Sequence, residues 1–239
     1  MNLPPLAVDQ AAIVIKGAFN PAIFSPAWLQ HQGLVGDREV DAGAVEIISR
    51  DVSVFSLDWL RVQITPDALL LSTSVLEETE RMRDAVIGVI EALPHTPIVA
   101  LGMNRSVHFE VSDAEKWHSL GDWLIPKSDW QSIVRLPATK ALSIIGLRPE
   151  DDQYGGSVTL QIEPSAQIEF GIYILVNDHY DLTELENPLA SRADVRIPGA
   201  IAEPPPDAVR IATKILIDEW SLSRRRSDEI ISKLGRFAQ

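Results

Sequence analysis

His108 and Glu110 stand two residues apart in the alternating run Val107–Val111, so a strand there places both on one face. A neutral imidazole beside a carboxylate is a ligand pair for zinc or manganese, and Asp113 or His118 follow closely enough to extend it. A second acidic group with an imidazole, Asp178, His179, Asp181, Glu184 and Glu186, follows an apolar strand, and functional loops commonly leave the ends of strands. Either set would suit a metal-dependent hydrolase. Plainer readings compete with both: His108 and Glu110 are the polar half of an alternating strand, and an acidic loop keeps the end of a sheet in water.

Arg224, Arg225 and Arg226, with Lys233 and Arg236, form a basic patch that would meet nucleic acid or an acidic partner, as in a nucleic-acid-associated regulator. Glu219, Asp228 and Glu229 lie within reach along a helix and can instead absorb these charges. Phe24 and Trp28, grouped with Phe19, Ile23 and Leu29 around Pro21 and Pro26, are bulky enough to dock on a partner or to fold back as a flap over the core.

Other chemistry lacks its sequence signature. There is no phosphate-cradling glycine loop, no G-x-G-x-x-G opening a helix, no G-x-S-x-G elbow and no H-E-x-x-H. With no cysteine, thiolate catalysis, disulfides and cysteine metal sites are excluded, and a cytoplasmic location is expected. No cofactor is expected. The chain of 239 residues carries 34 acidic against 21 basic side chains, a net charge of -13, which disfavours broad binding to nucleic-acid backbones. Its 46% hydrophobic content is enough for a sizeable core, yet no apolar run reaches the ~18 residues of a membrane span. Met1–Gln10 has neither the basic nor the apolar region of a secretory signal.

The elements that must carry these groups are mostly local in origin. Strand patterns occupy 11–19, 44–49, 52–57 and 98–111, with another over 139–147. Two hairpins are expected, 59–64 with 68–73 around Thr65-Pro66-Asp67, and 158–162 with 168–176 after Pro164-Ser165. Helical spacing marks 75–93, a segment from Asp113 to Pro126, a few residues over 128–134, and 208–222, which either continues through 223–237 or restarts after the arginine triplet. Residues 177–207 read as a long connection closing in the stiff run Glu203-Pro204-Pro205-Pro206.

A pattern Q-I-x-P-x-A starts at Gln63 and again at Gln161, each time at the corner of an expected hairpin. Two proline turns that arose independently explain it as well as a duplication does. The expected fold is α+β, a predominantly antiparallel sheet with helices packed on one face. It is either one domain over 1–239 or two pseudo-repeated β-hairpin-plus-helix modules, 11–125 and 139–239.

The run Arg61–Thr73 (RVQITPDALLLST), the acidic-start helix and returning strand after it, and the later strand into Asp178-His179-Tyr180 resemble a sporadically distributed bacterial protein family of about this size with no established function. That resemblance implies a bacterial setting and, from patchy distribution, an association with defence or mobile elements, and carries no catalytic residues. The expected role is a non-catalytic binding or assembly protein within a complex, with a protein partner or a second copy and no membrane. A metal-dependent hydrolase and a nucleic-acid-associated regulator are the alternatives.

Overall fold

The computed structural model describes residues 5–148, 152–183 and 203–235. Among them, nine strands build one sheet: β1 (Leu6–Gly17), β2 (Ala44–Ile48), β3 (Ser53–Ser56), β4 (Arg61–Thr65), β5 (Ala68–Thr73), β6 (Ile98–Glu110), β7 (Leu142–Leu147), β8 (Ser157–Pro164) and β9 (Gly171–Asp181). Their spatial order is β2-β3-β4-β5-β1-β6-β9-β8-β7, antiparallel at every pairing. Five helices accompany it: α1 (Pro26–His31), α2 (Asp37–Asp41), α3 (Thr79–Glu91), α4 (Ala114–Leu124) and α5 (Ala208–Gly235). The fold is α+β, as the alternating strands and amphipathic helices require.

Local chemistry explains the best-formed corner. Pro66 presets the turn between β4 and β5, the Thr65 hydroxyl donates to Asp67 at 2.7 Å, and Lys16 reaches the same carboxylate from β1 at 2.9 Å. Lys16 first and Thr65 second hold the Asp67 carboxyl down at about 2. α4 starts where Asp113 accepts a hydrogen bond from the Lys116 backbone N–H at 2.8 Å, so Asp113 is its cap rather than a ligand beside His108.

One side of the pleat carries the apolar rows. Ile13 and Ile15 of β1, Leu69 and Leu71 of β5, Met103, Val107 and Phe109 of β6, and Ile174 and Val176 of β9 all face it, and α1, α3, α4 and α5 add their buried residues there. The other side presents Gln10, Ala12, Asn104, Ser106, Asn177 and His179. Under the helices, the interior divides into two apolar clusters. One gathers β1, β3, β4, β5 and α3 with the first half of α5, and the other gathers β6, β8, β9 and α4 with the last turns of α5.

One strand plan is used twice. A long strand (β1 or β6) is followed by helix (α1 and α2, or α4), then by a meander whose last strand returns beside the first, β5 on β1 and β9 on β6, and then by another helix, α3 or α5. The row Ser53, Ile64, Leu69, Ile15 across the first half corresponds to Leu142, Ile162, Ile174, Val107 across the second. Q-I-x-P-x-A falls on the same corner of each. The plan divides between α3 and β6, so β6 and α4 open the second half instead of closing the first; that pairing is long-range and leaves no local mark. The halves differ at one end, where β2 lies outside β3 and nothing among the described residues lies outside β7.

α5 runs unbroken for 28 residues through the arginine triplet. Arginine is a good helix former, and the Ser227 hydroxyl returns a hydrogen bond to the Arg224 carbonyl at 2.8 Å. Of the long connection, 177–181 belong to β9 and 184–202 lie outside the described residues.

Candidate partner-binding surface

β7 has the sequence LSIIGL, and Ile144, Ile145 and Leu147 are all exposed. Among the described residues only its inner edge is paired, to β8. Approaching β7 along the chain, Trp123 and Trp130 are half exposed, as is Val134, while Ile133 is 77% and Leu136 84% exposed. These eight large apolar residues fall within Trp123–Leu147. The segment is not loose. Lys127, itself buried, donates to the Gly121 carbonyl at 2.9 Å, to the Ile125 carbonyl at 2.5 Å and to the Thr139 hydroxyl, fastening the connection to the end of α4. Leu136 is held at φ +53, a left-handed conformation that costs an ordinary side chain roughly 1–2 kcal/mol. Beneath the segment, Trp117, Leu120, Thr139, Ile162 and Pro164 line a hollow of about 50 Å³.

The opposite edge is built differently. β2 also exposes Val45, Ile47 and Ile48, but Glu46 sits among them in a bidentate pair with Arg61, 3.1 Å at its longer contact. A register shift between Val45 and Ile47 breaks the regular ladder. Charges and bulges are what keep an edge strand from pairing with another molecule, and β7 has neither.

A second polar feature lies between the apolar clusters, under the middle of α5. Arg105 of β6 grips Asp9 of β1 with two hydrogen bonds, 2.7 and 3.0 Å, and also pairs with Asp228 of α5. One residue row away, the fully buried Asp178 shares its Oδ1 between Arg148, at 3.3 Å, and Arg226. Arg148 lies flat on the Tyr180 ring, 3.4 Å from its centre, and also donates to the Gly155 carbonyl at 2.6 Å. Tyr180 in turn donates to Glu219 at 3.5 Å. Burial, and then the neighbouring Asp152, push the Glu219 carboxyl above the ordinary range against the opposing pull of Arg148 and Arg226. Burial likewise pushes the Tyr180 hydroxyl up.

The sequence-derived candidates therefore separate. Arg226 is spent on Asp178, and Arg224 donates to the Thr79 hydroxyl of α3 at 2.6 Å, which leaves Arg225 as the exposed member of the triplet. Phe24 is fully buried between Phe19 and Trp28, with ring centres 6.4 and 5.0 Å away, so it belongs to the core; Trp28 is partly buried against the same cluster. His108 is on the open side of the sheet, its ring 4.9 Å from Tyr173 and its Nδ1 2.8 Å from the Ser165 hydroxyl, while Glu110 is exposed. Burial lowers the His108 pKa, favouring the neutral ring. His179 shares that side, but Tyr173, the cross-strand neighbour of His108, precedes it by six residues, or about 20 Å of strand. Asp178 points to the other side. Among the described residues, no three imidazole or carboxylate groups converge as a metal site. Glu184, Glu186 and Arg236 lie outside the described residues.

Sequence reasoning missed Arg148, whose partner Asp178 is thirty positions away and signalled only by an odd polar residue in an apolar row. It also missed the exposure of β7, because an apolar run reads the same whether its faces are covered or bare. No helix of the described residues is long and apolar enough to cross a membrane. No family model matches the chain, and no curated protein matches it.

Proposed function

We propose that this chain is a non-catalytic binding or assembly protein, a subunit of a cytoplasmic complex, and that its contact surface is the β7 end of the sheet. The resemblance carried by Arg61–Thr73 supports a bacterial defence or mobile-element setting for that complex. The observation behind the reading is the apolar surface of Trp123–Leu147. Eight large apolar side chains half to four-fifths exposed along one stretch are more than the single scattered apolar residues of an ordinary surface. Pinning by Lys127 gives that surface a fixed shape, which limits the ordering entropy lost on binding.

A photo-crosslinking residue in place of Ile133, introduced in native cells, tests it. The expected result is a protein adduct of fixed mass, lost when Trp130 and Ile145 are both changed to Lys, with none formed from the same probe at the exposed Gln63 of β4. No protein adduct at Ile133, or equal adducts at both positions, would overturn the reading.

A further inference from the structure

Resting on the assembly reading, we propose that the occupant of the β7 edge is the β7 strand of a second copy of this chain, paired antiparallel about a two-fold axis. The first half of the molecule shows what this place in the strand plan takes, since β2 lies antiparallel on the outside of β3, the counterpart of β7. A second β7 supplies the same kind of strand and closes the edge symmetrically, leaving no further edge at that end.

The geometry permits it. A two-fold axis perpendicular to a continuous sheet keeps each residue on its own side, so Ile144 meets the partner copy on the helix-covered side and Ile145 on the open side, with the axis at one of the two. LSIIGL carries no charge, so pairing with itself opposes no like charges. That matters for a chain of net charge -13, where two copies repel over most of their surfaces. Along Leu120–Leu147, by contrast, Lys127, Arg135 and Lys140 outnumber Asp122 and Asp129. Such pairing would cover Ile144, Ile145 and Leu147, the exposed apolar residues of β7 itself.

Mass measurement by light scattering on the purified full chain, from low to high micromolar, is the test. The wild type is expected at twice 26.4 kDa. Ile145→Lys is expected as a monomer at the same concentrations that keeps its fold by circular dichroism, because the residue is exposed, with a melting temperature lowered only by the loss of association. Ile47→Lys on β2 is expected to stay dimeric. Since the chain has no cysteine, Ile144→Cys and Ile145→Cys put a thiol at each of the two axis positions, and one of them should yield a covalent dimer on oxidation while Ile47→Cys should not. A wild-type monomer throughout, or a dimer indifferent to Ile145→Lys, overturns the inference. If the isolated chain is monomeric while the Ile133 probe still captures a different protein, self-pairing fails and the assembly reading stands; a monomer with no adduct removes both.

Discussion

Ile13 in the first half and Arg105 in the second occupy the same place in the strand plan, as do Thr73 and Asp178, because Ile13 pairs with Leu71 where Arg105 pairs with Val176, and Ala11 pairs with Thr73 where Met103 pairs with Asp178. The first half fills that place with an aliphatic side chain and a hydroxyl. The second fills it with charge and then needs Asp9, Asp228, Arg148 and Arg226 to compensate. The difference extends to the rims: the first half covers its outer strand with β2 and arms β2 with Glu46, whereas in the second no described residue pairs outside the uncharged β7. One plan thus yields a half specialised for closure and a half that keeps polar groups inside and apolar groups outside. Burying paired charges brings little net stability, so the seam is better understood as fixing where α5 sits on the sheet.

Six variants would break or sharpen this contrast. The largest effect is expected from Asp178→Ala, which leaves buried Arg148 with only the more distant Asp152 at 3.9 Å and should cost roughly 3–5 kcal/mol in urea unfolding, while Thr73→Ala, its counterpart, should cost only about 1 kcal/mol. Equal losses would show that the two halves are not built differently there. Next, Ile64→Ala should cost about 2–5 kcal/mol, and its counterpart Ile162→Ala clearly less, because Ile162 borders the hollow under the β7 segment and its site can relax.

Glu219→Gln tests the seam through pH. The folded protein holds the Glu219 proton above the ordinary carboxylate range, so between that range and the raised value the native state binds more protons than the unfolded chain, and stability falls as pH rises. The amide removes that decline: melting temperature should rise at neutral pH, change little at acid pH, and the difference should grow with pH across the window. The smallest change in stability is expected for Glu46→Ala, an exposed ion-pair partner screened by solvent. Its informative readout is association, since removing the charge from β2 makes that rim resemble β7 and should raise self-association seen by light scattering.

Much of the scaffold was legible because its causes are local. Thr65-Pro66-Asp67 names its own turn, the 79–91 stripe of Met82, Val86, Val89 and Ile90 names its own buried face, and alternation marks β8 and β9. The α+β class followed from the mixture. What the local pattern could not carry was neighbourhood. That β5 and β9 return to β1 and β6, that β7 is the outermost described strand, and that Asp178 finds Arg148 and Arg226 are all consequences of distant pairing. The triplet Arg224–Arg226 reads as a patch only while its partners are unknown; in the folded chain two of the three point inward to Thr79 and Asp178.

The 28-residue α5 is about 42 Å long at 1.5 Å per residue, and it lays Ala212, Ile215, Leu216 and Trp220 on one apolar cluster and Ile231 and Leu234 on the other. Because one continuous helix joins both clusters, the two sides are expected to melt together, with amides in the interior of α5 protected by one common opening free energy and only its ends fraying.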